Sequence, residues 1–358
     1  MGLFSSSPAS ASYLGVDIGY AGIKLVELKN EKGRARLATY AYANIPSESL
    51  EQSLLTDPAG TAELIKKMCA KAKITSKKAI SALPMSAVFS SIVNVPTTND
   101  KELKDAVTAQ AKKLVKWPIE EAAIDLKVIE KTEKSETQNA SSRVLMTAAR
   151  KMDVDRYIQA FKLAGLELLS LETEAFAEVR SLIGKDRSTI MIIDMGSLRT
   201  NLMVVERGVP FITRSIATGG NAITQTIART LGIPPEQAET MKRDIKSMQA
   251  FTPTGDVGPI LSVLVKPVLD EMRYCMNQYQ AQEGGQNSQR RIEKIILTGG
   301  SALLPRLPEF LTQQMNVNTY LGNPWARVVY PPDLRPLLDE IGPRFAVSIG
   351  CAMRDLDI

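Results

Sequence analysis

Apolar and polar positions along the chain fall into blocks, some with the two-residue period of strands and some with a helical period. Tyr13 to Val16 begins a strand that reaches a Gly-containing turn, Asp17-Ile18-Gly19-Tyr20-Ala21-Gly22, and Ile23 to Leu28 resumes as a second strand. A third strand is expected near Arg36 to Ile45, then a helix from about Asp57 to Lys73 and a short buried strand at Ala79 to Leu83. This order indicates a mixed sheet with at least one helical crossover.

The next segment differs in character. Ala87 to Val95 alternates as a strand and stops at Pro96. Asn99 and Glu102 form a capping box for a helix whose apolar face is Leu103, Ala106, Val107, Ala111 and Leu114. Two strands flank the polar stretch Lys131 to Ser142, and Asp153 is expected to cap a helix that stops at Gly165. Strand, helix, strand, strand, helix suggests a small α+β subdomain inserted into the first sheet.

Beyond it, Leu166 to Leu171 reads as a strand and a helix begins near Glu172 to Ala175. Thr189 to Ile193 is strongly apolar and ends at Asp194-Met195-Gly196; Thr200 to Glu206 and the turn Arg207-Gly208-Val209-Pro210 follow. The opening pattern thus recurs after ~177 residues, a coarse internal repeat whose halves would face each other across a cleft. A helical section runs from Gly219 to about Gln282, interrupted at Thr252 to Gly258 and closed by the loop Glu283 to Gln289. A third Gly-rich turn, Gly299-Gly300-Ser301, ends the buried strand from Lys294 and leads into a helix. Phe345 to Arg354 reads as a small-residue helix.

Composition narrows the chemistry. The 358 residues suffice for two domains, and 44% hydrophobic with 23% charged residues is ordinary for a globular chain. There is no histidine, which excludes a His triad, a His base and a His-ligated metal. Cys69, Cys275 and Cys351 are scattered, which argues against a disulfide framework or a zinc site. A net charge of +5 over this length is too weak to argue for nucleic acid, and Lys66, Lys67, Lys71, Lys73, Lys77 and Lys78 read as a solvated face. No uncharged apolar stretch approaches the ~18 residues of a spanning helix, and Met1 to Ser12 reads as a flexible tail. A cytoplasmic protein, or one held at a membrane by a partner, is expected.

An Asp-x-Gly turn between strands can wrap backbone N–H groups around a phosphate, while its Asp orders a hydrated divalent cation. Alone, Asp17-x-Gly19 or Asp194-x-Gly196 is only a hairpin turn. Two copies half a chain apart, joined by Gly299-Gly300-Ser301, point to a nucleotide cleft.

These residues resemble a known superfamily. Leu14 to Gly19 with Lys24 is similar to the first phosphate motif of the actin, sugar kinase and heat-shock ATPase fold, and Ile192 to Gly196 with Thr200 to its second. Leu297 to Ser301 resembles the adenosine motif. Ala238 to Lys242, after Gly219-Gly220, resembles the segment that holds ribose and base. Glu174-Ala175 and Ile349 to Ala352 occupy the places of two connecting helices. The resemblance implies an actin-like (ribonuclease H-like) two-domain α/β fold that binds ATP and Mg2+. It implies cofactor contacts at Asp17, Gly19, Tyr20, Lys24, Gly196, Ser197, Thr200, Gly219, Gly220, Glu239, Lys242, Gly299, Gly300 and Ser301. Asp17 and Asp194 would hold the metal, and Glu174 and Asp194 would be the catalytic acids.

The inserted segment, ending Met152 to Tyr157 and Ala164 to Leu166, resembles the IC subdomain shared by the cell-division protein FtsA and the pilus protein PilM. The run Tyr13 to Leu28 is more similar to the PilM family, and the amphipathic C-terminal helix usual in FtsA is missing before Ile358. The divisions implied are 1–12 tail, 13–86 and 167–188 subdomain IA, 87–166 subdomain IC, 189–220 and 291–340 subdomain IIA, 221–290 subdomain IIB, and 341–358 the last connecting helix. PilM resemblance implies a cytoplasmic ATP-binding scaffold of type IV pilus assembly, or of related type II secretion. It would bind the cytoplasmic N-terminal peptide of inner-membrane PilN and reach PilO and the pilus motor ATPases indirectly, meeting the membrane only through partners. Self-association is left open. Tyr20, Ser197, Leu198 and Arg199 depart from the superfamily pattern, so at most slow hydrolysis is expected. An FtsA-like filament protein, or a small-molecule kinase of the same fold, is the alternative.

Overall fold

The two apolar blocks become two sheets with one strand order in the computed structural model, which describes residues 12–45, 54–133, 139–244, 246, 249, 256–281 and 290–356. The tail before Ser12, the loop Glu283 to Gln289, and parts of the stretches Lys131 to Ser142 and Thr252 to Gly258 lie outside the described residues.

Strands β1 (Ser12–Gly19), β2 (Gly22–Glu31) and β3 (Arg34–Asn44) form an antiparallel meander. Helix α1 (Pro58–Lys71) starts where Asp57 accepts from the Gly60 N–H at 3.0 Å, with Pro58 in its first turn. It crosses over to β4 (Lys78–Leu83), which lies parallel to β1. The chain then leaves this sheet. Strands β5 (Val88–Val95), β6 (Ala122–Thr132) and β7 (Ser141–Arg150) build a separate antiparallel sheet in the order β5-β7-β6. Helix α2 (Asp100–Leu114) covers it, burying Leu103, Val107 and Ala111 against Val93, Val144 and Met146.

Helix α3 (Lys151–Ala164) begins two residues before Asp153, because β7 stays extended through Arg150. Asp153 therefore sits inside the first turn, 3.4 Å from Arg156, and caps nothing. Although α3 follows the inserted sheet, its buried Tyr157, Ala160 and Phe161 join the core of the first sheet, alongside Ile65 and Met68 of α1. Strand β8 (Glu167–Thr173) then pairs in parallel with β4.

The second half repeats the arrangement. Strands β9 (Ile190–Met195), β10 (Thr200–Glu206) and β11 (Val209–Ile216) form a meander, and β12 (Lys294–Thr298) and β13 (Thr319–Leu321) add in parallel. The orders β3-β2-β1-β4-β8 and β11-β10-β9-β12-β13 match strand for strand, with β14 (Val328–Val329) added beside β3. The expected long helical section is broken more often than its periodicity suggested. Helix α5 (Gly220–Leu231) stops at left-handed Gly232, and Pro234-Pro235 starts α6 (Pro235–Arg243). Helices Gly258–Leu264 and Lys266–Ala281 follow. After Gly299 the chain makes a short 3-10 turn, Gly300–Leu303, before the helix Leu307–Met315.

Helix α4 (Glu174–Glu178), continued by a π turn at Val179–Ile183, crosses the wholly buried helix Ala346–Met353 between the halves. A Cβ at Gly350 would lie 2.8 Å from Ala177 Cα, so only glycine allows this approach. Mixed sheets of matching order, hinged on two crossing helices, form the actin-like two-domain fold. Among the described residues no helix is long and apolar enough to cross a membrane.

Candidate functional site

Inner strands β1 and β9 have partners on both sides, so each ends at the seam between the sheets with its turn facing the other half. There a cleft of about 820 Å³ is lined by Asp17, Gly19, Tyr20 and Lys24 from one side and Asp194, Gly196 and Ser197 from the other. Glu174, Gly220, Glu239, Lys242, Gly299, Gly300 and Ser301 complete it. Two of the residues expected there do not line it. Thr200 is fully buried and donates its hydroxyl to the Thr218 carbonyl at 2.6 Å, and Gly219 packs against the Ser197 backbone. Both hold the turn in shape from behind.

The repeat extends to side chains. Lys24 stands opposite Asp17 in the β1–β2 register and donates to it at 3.0 Å. Asn201 stands opposite Asp194 in the β9–β10 register. Lys24 follows Asp17 by seven residues and Asn201 follows Asp194 by the same number, so that offset was the available signal for Asn201. Glu178 was likewise missed, although it lies one helical turn beyond Glu174 on α4 and lines the cleft.

Asp17, Glu174, Glu178 and Asp194 thus crowd into one low-dielectric seam around Lys24. Burial pushes Glu174 up to about 8, aided by repulsion from Asp17 and Asp194. Burial also raises Asp194 to about 6 and Glu178 well above the carboxylate range. Among the described residues Glu178 finds no nitrogen or hydroxyl partner for either oxygen; in its neutral form it donates to Asp194. Glu174 accepts from the Met85 N–H at 3.0 Å and from Asn201 Nδ2 at 3.3 Å.

The second turn is closed on itself. The Gly196 N–H donates to the Arg199 carbonyl at 2.9 Å, and the N–H groups of Gly220 and Asn221 donate to the Gly196 and Ser197 carbonyls. The Arg199 guanidinium turns away to Ser215, Nε to Oγ at 2.9 Å. Opposite, Lys242 is buried, donating to the Gly220 carbonyl at 3.1 Å and Thr224 Oγ1 at 2.8 Å and pairing with Glu239. Gly299 has φ 84°, and an added Cβ would lie 2.5 Å from the Met195 carbonyl oxygen. At Gly300 the nearest neighbour would be Arg344 at 3.5 Å, so the steric demand for glycine falls on Gly299.

A second cavity, about 480 Å³, opens between the first sheet and the inserted one. Apolar Leu55, Leu83, Val88, Phe89 and Trp117 line it with Arg150, Asp153 and Arg156. The Arg150 guanidinium lies over the Trp117 ring at 5.6 Å, and Trp117 Nε1 and Tyr157 OH are buried with no hydrogen-bond partner among the described residues. Tyr20, Pro84 and Ser86 line both cavities.

The family model described as type IV pilus assembly protein PilM matches residues 15–356. The chain belongs to this family. Its fold superposes on a solved PilM-PilN type IV pilus biogenesis complex with a TM-score of 0.80 and 27% identity, covering 97% of this chain and 99% of that one. The ethanolamine utilization protein EutJ of Salmonella typhimurium is 28% identical over 157 residues, 44% of this chain and 48% of EutJ. The chain spans about half the length of the curated relatives it matches. MreB5 of Spiroplasma citri, solved bound to AMPPNP, shares the fold at a TM-score of 0.54 and 12% identity, over 96% and 95% of the two chains. Family membership places the chain with PilM and not with FtsA.

Proposed function

We propose that this PilM-family chain binds ATP with Mg2+ in the cleft and the N-terminal cytoplasmic peptide of PilN in the second cavity. It serves as a scaffold that joins the inner-membrane complex to the pilus motor. The observation that carries the nucleotide half is the cleft itself, where two Asp-x-Gly turns and Gly299, in a conformation and space that only glycine fits, come together. The residues fit the ligand. The cradle at Gly299 leaves no room for a side chain, and the acids supply hard oxygen donors. Among the described residues no three acidic side chains converge on one metal-sized point. That suits Mg2+, which binds through one or two carboxylates and otherwise through phosphate and water. Asp17 and Asp194 would hold the ion, and Mg2+ would neutralise phosphate charge there.

The chain's own residues divide the remaining work. Lys24 offers an ammonium to phosphate in exchange for Asp17. Glu239 and Lys242, fixed by Thr224, would bound the ribose, and Gly299 and Gly300 would admit the base. The second turn has spent its Gly196 N–H internally and faces the cleft with bulky Leu198 where backbone must approach the phosphate that phosphoryl transfer has to position. Slow turnover follows.

The peptide half rests on the second cavity, where an apolar wall and orphaned donors at Trp117 and Tyr157 would receive an extended chain. The similar fold was solved as a PilM-PilN complex, which supports PilN as the occupant. Titration of the intact chain with the N-terminal peptide of PilN, beside a scrambled peptide, tests this. One-to-one binding of the first alone is expected, and equal binding of both overturns it.

A further inference from the structure

We propose that the end of the first domain away from the cleft is a docking face for an anionic phospholipid bilayer. Three elements meet there. The β2–β3 turn carries Lys32 and Arg34, and the last turn of α1 with the loop to β4 carries Lys71, Lys73, Lys77 and Lys78, all exposed. Hydrogen bonds hold these segments at one level. The Ser76 hydroxyl donates to the Ser12 carbonyl at 2.8 Å, Thr39 Oγ1 donates to the Ala72 carbonyl at 2.9 Å, and Lys29 faces Ser12 in register.

The acids of this end are mostly spent. Glu27 is 1% exposed and accepts from Ser12, Thr75 and Ser76, which keeps it turned inward, and Glu31 pairs with Arg36. Glu167, opening β8 beside Lys78, is exposed and makes no ion pair with any described residue. The six cations named make no ion pair with any described residue, whereas Lys66 pairs with Glu63. The sequence alone reads such lysines as a solvated face; the fold adds that they share one end with the exposed apolar Leu163 and Leu169.

That mixture decides the partner. Ammonium groups spread over a turn, a helix end and a loop suit the diffuse charge of a headgroup layer, while leucines at their margin suit the boundary below it. No exposed aromatic for stacking lies among these described residues. The face lies at the C-terminal ends of α1 and α3, and the second cavity at the N-terminal half of α3. Bilayer and peptide therefore use different residues.

Flotation of the intact chain with vesicles tests the proposal. It is expected to rise with phosphatidylcholine vesicles containing phosphatidylglycerol, to stay behind with phosphatidylcholine alone, and to be released by salt. Lys71→Gln/Lys73→Gln/Lys77→Gln/Lys78→Gln should lower the partition about five-fold per charge with an unchanged melting temperature. Lys32→Gln/Arg34→Gln, on a different element, should lower it independently, whereas Lys112→Gln/Lys113→Gln on α2 should not. No flotation with phosphatidylglycerol, equal flotation of the quadruple variant, or retention on duplex DNA without flotation overturns the proposal.

Discussion

Glu174 accepts the Met85 N–H at 3.0 Å, and that bond crosses the wall between the two cavities. Met85 belongs to the turn Met85–Ala87, whose Ser86 and Ala87 line the second cavity, whereas Glu174 lines the cleft. Glu174 is thereby bonded directly to the turn from which β5 leaves the first domain.

The same carboxyl sets a pH dependence. It titrates near 4.5 in the unfolded chain and at about 8 in the fold, so between those values the unfolded chain holds fewer protons. Stability therefore falls as pH rises from about 4.5 to 8. Glu174→Gln keeps an acceptor for Met85 but cannot ionise. Its melting temperature should match the parent's at pH 4.5 and exceed it at pH 8; an equal difference at both values counts against the assignment.

Gly299 and Gly300 should respond differently to alanine. Gly299→Ala forces a side chain into a left-handed backbone against Asp194 and Met195, costing about 1–3 kcal/mol and abolishing nucleotide binding. Gly300→Ala meets only Arg344 at ordinary contact distance and should keep the parent's melting temperature. Thermal melts with and without Mg-ATP separate the two.

Lys24→Ala removes the cation paired with Asp17. Loss of a charged hydrogen bond to phosphate should cost about 1.5–3 kcal/mol of ATP affinity, read by calorimetry. Unchanged affinity would remove Lys24 from the phosphate site.

Val88→Asp should weaken PilN peptide capture at least ten-fold while leaving ATP affinity alone, because Val88 lines only the second cavity. Equal loss of both ligands would point to a general defect instead.

Much of this architecture was legible in the residues. The twin Asp-x-Gly turns led to two facing halves because two copies at the ends of apolar strands half a chain apart are more than chance hairpins, and the sheets share one order. Other placements depend on the fold. Asp153 looked like a cap, but pairing with Ala122 and Ala123 of β6 keeps β7 extended through Arg150. Thr200 is expected at the cleft from its resemblance to the second phosphate motif, yet its hydroxyl donates to the Thr218 carbonyl. Glu178 belongs to no motif of the sequence, and the crossing of α4 with the last helix buries it beside Asp194.

The central claim is that one chain holds a nucleotide and a PilN peptide at adjoining sites. Isothermal titration of the intact chain, saturated with Mg-ATP, with the N-terminal PilN peptide tests it most directly. The expected result is one peptide per chain, bound with an affinity that differs from the one measured without nucleotide. Absence of binding in both conditions would contradict the account.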